Sequence, residues 1–262
     1  MNKLFVVKIG GNVLDNDSSL EKFLRDFAAI QEPKILVHGG GKIATSIGQR
    51  LGIESKYVNG RRITDAETLD VVTMVYGGLV NKQLVARLQS IGCNAIGVTG
   101  ADGNMIHAVK RPVKDIDYGF VGDVNPGNVN TALLHFLLKE NAVPVFAPLT
   151  HDNGYILNTN ADTIASVLAI ALSKYFDVRL IFCFEKKGVL HDVNRSDSVI
   201  HHLPKKMYDE LLGRNVFADG ILPKLENAYA AIEEGVKEVL IGEAGDLLRN
   251  TGRETEGTLI TL

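Results

Sequence analysis

The chain has 262 residues, 28 Lys and Arg against 31 Asp and Glu, and a net charge of −3, which argues against a binder of nucleic acids or anionic membranes, since those need a basic surface. Its 45% hydrophobic and 23% charged content is that of an ordinary globular protein, long enough for one large α/β domain or two lobes. Two cysteines, Cys93 and Cys183, lie in apolar segments without ligand-like spacing and read as buried thiols in a reducing compartment.

In chain order, an apolar run over 4–7 ends in Lys8-Ile9-Gly10-Gly11. Lys8 interrupts that run before a secretory signal could form, which together with the rest of the chain points to a cytoplasmic protein. Ser18 and Glu21 have capping-box spacing ahead of Leu20, Phe23, Leu24 and Phe27, which predicts the first long helix. A second strand over 34–38 runs into Gly39-Gly40-Gly41 and a second helix. Residues 56–64 carry Asn59-Gly60, a hairpin signal, and residues 65–90 form the longest helical pattern, interrupted at Gly77-Gly78. Further strands are expected at 94–98, 143–147, 178–184 and 237–241, a second hairpin over 106–124 and a third turn at Asp152-Asn153-Gly154. The apolar stretch over 164–172 is too short to span a membrane. Strands alternating with helices predict the α/β class: a three-layer sandwich around a central, mainly parallel sheet with inserted β-hairpins. A boundary is expected near residue 175.

Two strand-to-glycine turns at the ends of neighbouring strands offer bare backbone N–H groups to an anion, and Lys8 adds a cation. Other readings of the second turn fail. Gly39, Gly41 and Ala44 fit a dinucleotide fingerprint, but no strand-ending acid follows about twenty residues on. Lys42 precedes Ile43 rather than Ser or Thr, so there is no Walker A loop, and no G-x-S-x-G elbow accompanies His38-Gly39-Gly40-Gly41. Asn158, Asn160 and Asp162 open an apolar helical run; they read as caps, with Asp162 kept ionised in the first turn. Lys224 follows Asp219-Gly220 at another helix start, where a cation opposes the dipole.

These segments, with Asn59-Gly60-Arg61-Arg62, Asn81-Lys82, Gly100-Ala101-Asp102-Gly103, Gly119-Phe120-Val121-Gly122 and Gly257-Thr258, resemble the amino-acid kinase family over nearly the whole chain. The resemblance implies an N-terminal lobe (1–175) that binds an acylated glutamate and forms the dimer interface, and an ATP-binding C-terminal lobe (176–262), sharing one continuous sheet. It implies transfer of the γ-phosphoryl of MgATP to the γ-carboxylate of N-acetyl-L-glutamate, the second step of arginine biosynthesis. The nucleophile is already an anion, so the chemistry needs neutralisation of charge rather than a strong base. Lys8 and Lys224, from opposite lobes, would bracket the phosphoryl group, Asp162 would hold both ammonium groups, and Gly10, Gly11 and Gly41 would supply N–H donors. Arg62 would take the substrate α-carboxylate with Asn158, beside Gly40 and Gly41. Glu185, Gly188, Val189, Leu190, Val216, Phe217 and Ala218 would line the nucleotide. Mg2+ would be held by phosphates and water, without a protein ligand.

The segment Phe184-Glu185-Lys186-Lys187-Gly188 stands where the family usually has Ser/Thr-Asp-Val-x-Gly. Arginine-inhibited relatives carry an N-terminal helix that Lys8, with seven residues before it, leaves no room for. A homodimer joined through the helix over 65–90, without strong arginine feedback, is therefore expected. Arg61, Lys110 and Arg111 leave N-succinyl-L-glutamate open as the acceptor. A non-catalytic amino-acid-binding module on the same fold is a further alternative, although it would be expected to lose Lys8, Lys224 or Asp162.

Overall fold

The structure, a computed structural model, describes residues 1–58, 60–192, 195, 197–214, 216–217 and 221–262. From the N-terminus come β1 (Lys3–Ile9), α1 (Gly11–Leu14), α2 (Asp17–Ala29), β2 (Lys34–His38), α3 (Gly41–Arg50), β3 (Lys56–Val58) and β4 (Arg61–Ile63). Then follow α4 (Ala66–Val72), a π-helical stretch (Thr73–Val80), α5 (Asn81–Ser90), β5 (Ala95–Val98), β6 (Ile106–Lys110), β7 (Gly122–Val129), α6 (Thr131–Lys139) and β8 (Val143–Phe146). The chain continues through β9 (Leu149–Asp152), β10 (Tyr155–Asn158), α7 (Ala161–Leu172), β11 (Asp177–Phe184), β12 (His202–Pro204), α8 (Lys205–Gly213), α9 (Leu222–Glu233), β13 (Glu238–Glu243), α10 (Leu247–Thr251) and β14 (Thr258–Thr261). All six strands expected from the α/β rhythm are present.

The chain divides into two compact units, Met1–Lys34 with Leu168–Leu262, and Ile35–Val167. Compactness thus places β1 with the strands after residue 168, so Lys8 and Lys224 belong to one unit.

In the first unit the strand order is β12-β14-β13-β11-β1, with β14 antiparallel to β13 and the other pairs parallel. Leu4, Phe5, Val6 and Val7 are fully buried, the unbroken apolar run of a strand covered on both faces. Arg179, buried in β11, is paid for by Glu238 Oε2 at 2.6 Å and by the carbonyls of Asn250 and Gly252 at 2.9 and 2.7 Å. The expected capping box at Ser18 is not formed. α2 starts two residues earlier, with Asn16 as its N-cap accepting the Ser19 N–H at 2.9 Å.

In the second unit β2, β8 and β5 run parallel. A mixed group, β10-β9-β6-β7, is antiparallel at β10–β9 and β6–β7 and parallel at β9–β6, and the hairpin β3-β4 forms a sheet of its own. The turn between β9 and β10 has Asn153 at φ 47° and Gly154 at φ 83°, the double positive φ of a two-residue hairpin turn. The expected 106–124 hairpin is longer than its sequence suggested: β6 pairs with β7 out to Val129. Asn59, of the Asn59-Gly60 turn, lies outside the described residues. Among the described residues no helix is long and apolar enough to cross a membrane.

Candidate active site

In the first unit, Lys8 lies opposite Phe182 in the β1–β11 register, one residue before β1 ends. Gly10 has ordinary extended backbone (φ −101°, ψ −179°), so its conformation does not demand glycine. What the missing side chain leaves clear is the approach to the Lys8 ammonium, which would lie 3.6 Å from a Cβ there. Asn12 donates from its amide to Glu185 Oε1, tying the turn after β1 to the loop after β11. Lys224 sits in the first turn of α9, and its Nζ lies 5.3 Å from the centre of the Phe184 ring. The face of an aromatic ring attracts an ammonium group, a stabilisation that offsets the opposing helix dipole. Phe184, read as a departure from the family pattern, thus acquires a physical role. Next to it, burial pushes the Cys183 thiol up to about 12 against the opposing Lys8 charge, so it stays protonated.

The residues expected to line the nucleotide are packed into this unit. Gly188 lies against β14, where a Cβ would come 2.6 Å from Thr258 Oγ1, and the same hydroxyl accepts the Val189 N–H at 2.8 Å. Val189 is buried, while Leu190 and Val216 are half-buried. Phe217 is buried too and stacks on Tyr208 at 5.6 Å. Ala218, like Asp219 and Gly220, lies outside the described residues.

In the second unit Gly40 caps α3 at φ 150°, a conformation that L side chains avoid, and a Cβ would meet the Tyr76 ring at 3.0 Å. Arg62 is buried at 8% exposure. Its guanidinium donates to the Gly41 carbonyl at 2.9 Å, to Thr45 Oγ1 at 3.0 Å and to the Ser55 hydroxyl, and lies 4.8 Å from the Tyr57 ring. Tyr76 also hydrogen-bonds Arg62; burial raises its hydroxyl pKa and the Arg62 charge opposes this. The fork is therefore held beside the glycine turn by four residues from three elements and by Ser55 in the loop before β3. Arg61, its neighbour in β4, points to the exposed face, as alternation in a strand requires.

Residues 119–121 bind this arginine strand to Asn158. Thr64 bridges to Gly119, and Val121 to Asn158, both parallel. The Phe120 N–H donates to the Thr64 carbonyl at 2.7 Å, the Asn158 N–H to the Phe120 carbonyl at 2.9 Å, and the Asn158 side-chain amide to Thr64 Oγ1 at 3.0 Å. Asn160 accepts the Thr163 N–H at 3.1 Å, confirming it as a cap, and Asp162 follows in the first turn of α7 with one carboxylate oxygen out of contact with solvent. Lys110 lies over Phe120 at 4.6 Å, and Arg111 stacks on Tyr118 at 5.4 Å while its Nε donates to Asp123 at 2.9 Å.

Within units, then, the expected residues gather as Lys8 with Gly10, Lys224 with Phe184, and Arg62 with Gly41. Thr45, Ser55, Tyr57, Thr64 and Tyr76 were missed. Tyr76 sits in an apolar helical run and reads as core, whereas Tyr57 and Thr64 flank the quoted Asn-Gly-Arg-Arg motif and could have been found there.

Ammonium groups, a pinned guanidinium and glycine turns make a protein that handles anions, on an α/β fold with a mainly parallel sheet. The chain belongs to the amino acid kinase family, whose model matches residues 3–243. Among curated relatives it is 57% identical over 251 residues to the acetylglutamate kinase of Bacteroides thetaiotaomicron (95% of this chain, 97% of that one). It is 55% identical over 253 residues to that of Parabacteroides distasonis (96% and 98%). Its fold is shared by the carbamate kinase of Giardia lamblia bound to AMP-PNP, with a TM-score of 0.71 and 13% identity over 99% of this chain and 98% of that one.

Proposed function

We propose that this chain transfers the γ-phosphoryl group of ATP to the γ-carboxylate of N-acetyl-L-glutamate, giving N-acetyl-L-glutamyl 5-phosphate for arginine biosynthesis in the cytoplasm. The observation that carries the reading is the buried Arg62 fork, pinned next to Gly41 before any substrate arrives. A planar, fixed guanidinium suits a carboxylate that does not react, so Arg62 takes the α-carboxylate and Asn158 the same amino-acid portion. Backbone N–H groups of Gly40 and Gly41 face the acceptor end.

Repulsion between the γ-carboxylate and the γ-phosphate is the barrier that remains. Lys8 and Lys224 neutralise the charge as it spreads over the phosphoryl oxygens, the N–H groups of Gly10 and Gly11 add donors, and Asp162 orients the ammonium groups. Glu185, Gly188, Val189, Leu190, Val216, Phe217 and Ala218 serve the nucleotide. The donors around Lys8 suit phosphate oxygens rather than a divalent cation, and among the described residues no three His, Cys, Asp or Glu side chains converge on a metal position. Mg2+ fits this site as a passenger on the triphosphate, held by phosphate oxygens and water, where it supplies charge neutralisation. We assign acceptor binding to residues 1–175 and nucleotide binding to 176–262, in a homodimer.

N-Succinylglutamate would need a free cation for its second carboxylate. Arg61 is exposed, Arg111 is committed to Asp123 and Lys110 to Phe120, which favours the acetyl group. A coupled assay with ATP and glutamate, N-acetylglutamate or N-succinylglutamate in parallel tests the reading. The highest kcat/KM is expected for N-acetylglutamate; a clear preference for the succinyl compound overturns it.

A further inference from the structure

His38 and Asn81 belong to none of the roles above, yet both are buried polar residues, at 0% and 1% exposure. His38 ends β2 immediately before the glycine turn. Its Nδ1 lies 2.6 Å from the Gly39 carbonyl oxygen and its Nε2 lies 3.2 Å from Asn81 Nδ2. The Asn81 amide can be oriented from its other partners. Nδ2 lies 2.8 Å from the Val145 carbonyl, and Oδ1 lies 3.1 Å from Lys82 Nζ, which itself donates to the Gly97 carbonyl at 2.9 Å. Nitrogen therefore faces an acceptor and oxygen faces a donor. One Nδ2 hydrogen goes to Val145 and the other to His38, so Nε2 must accept and the imidazole proton sits on Nδ1, donating to Gly39.

The π-helical stretch explains why Asn81 is in place. The Asn81 N–H donates to the Tyr76 carbonyl, five residues back, where an α-helix would bond four back. That wider ring aligns Tyr76 and Asn81 along one face, and both meet the turn: Tyr76 through its ring at Gly40, Asn81 through His38.

We propose that His38 and Asn81 are a positioning pair for the acceptor end of the site, holding the Gly39–Gly40 peptide so that the Gly40 N–H is presented to the bound acylglutamate. In a trans peptide the C=O and the following N–H point in opposite directions, and among the described residues there are no cis bonds. Drawing the Gly39 carbonyl toward His38 therefore turns the Gly40 N–H away from the core. The pair touches no reacting atom and acts through the turn. This inference rests on the assignment of Gly40 and Gly41 to the acylglutamate.

Steady-state kinetics on wild type, His38→Asn, His38→Gln and Asn81→Leu test it, with thermal unfolding of each. Asparagine places an amide donor where Nδ1 stood; glutamine places its amide where Nε2 stood. His38→Asn should keep KM for N-acetylglutamate within about threefold of wild type, while His38→Gln and Asn81→Leu should raise it at least ~10-fold and leave KM for ATP within about twofold, the effect of one lost hydrogen bond at one end of the site. Equal KM for the acyl substrate in His38→Asn and His38→Gln overturns the pair, as does an equal rise in both KM values. A wild type that binds no N-acetylglutamate by calorimetry overturns the functional reading, and the pair with it. Imidazole 15N spectra of the wild type need no variant to fold: a proton on Nδ1 is expected, and a proton on Nε2 overturns the proposal.

Discussion

Lys224 was legible as a residue out of place, a cation in the first turn of a helix, and Lys8 as the end of a strand that runs into two glycines. The surroundings were not legible, because the Phe184 ring over which Lys224 lies and the Asn12–Glu185 tie near Lys8 in the chain join segments far apart in sequence. Each lysine is assigned to charge that develops in the transition state. Lys8→Ala and Lys224→Ala should each lower turnover at least ~100-fold, since such a contact contributes about 3–4 kcal/mol. Single-turnover rates check this, and near-normal turnover in either variant removes that lysine from the chemistry. Arg62→Ala should instead act chiefly on KM for the acylglutamate, because the carboxylate assigned to it does not react. His38 has a consequence for stability. Burial, reinforced by Lys82 and opposed by the bond to Gly39, lowers its pKa from 6.5 to about 4. The folded pKa lies below the unfolded one, so the unfolded chain binds more protons between these values. The contribution of neutral His38 is thus complete above 6.5 and is lost as pH falls toward 4. Urea unfolding should show wild type losing about 2 kcal/mol more than His38→Gln between pH 7.5 and pH 5. Parallel pH profiles for the two proteins would contradict that.

Elements built from local signals were read well, and elements closed by distant partners were not. Asp152-Asn153-Gly154 supplies its own turn chemistry, and β9 and β10 pair on either side of it as expected. Residues 118–121 carry an equally strong glycine signal and lie at the closed end of the expected β6–β7 hairpin, but they also run between Thr64 and Asn158. Nothing in the periodicity of 106–124 reveals partners more than 30 residues away in either direction, so only the hairpin was legible and not these further contacts. The π-helical stretch is hidden for a similar reason: Gly77-Gly78 announces an irregularity, but only packing against Gly40 and His38 selects its kind. Gly119 is where the strip is most constrained. It has φ 74°, and a Cβ would fall on the Thr64 carbonyl. Gly119→Ala should therefore destabilise by at least about 3 kcal/mol, strain and clash together, whereas Gly154→Ala, strained but in open space, should cost about 1 kcal/mol. Denaturant unfolding of both variants measures the difference. The Gly119 variant should also raise KM for the acylglutamate, because Arg62 and Asn158 would no longer be held by one strip.

For the molecule as a whole, the α/β class was legible from the alternation of short apolar runs with helical patterns, because each strand buried on both faces writes itself as an unbroken apolar segment. The compact units were less so. β1 pairs in parallel with β11, across the greater part of the chain, and a pairing of that span leaves no local mark. Assembly depends on what the folded surface leaves uncovered. Met74 and Leu79, in the π-helical stretch, are 56% and 41% exposed, and Ile96 in β5, which packs with α5, is 39% exposed. Large apolar side chains grouped on one segment mark an interaction surface, and a two-fold axis through the helix over 65–90 would bury the same residues on both copies. Light scattering should give twice the 28.5 kDa of the single chain. Met74→Glu combined with Leu79→Glu puts like charges against each other across that axis and should yield the 28.5 kDa species. A hexamer in the wild type, or a dimer that survives both substitutions, would place the interface elsewhere.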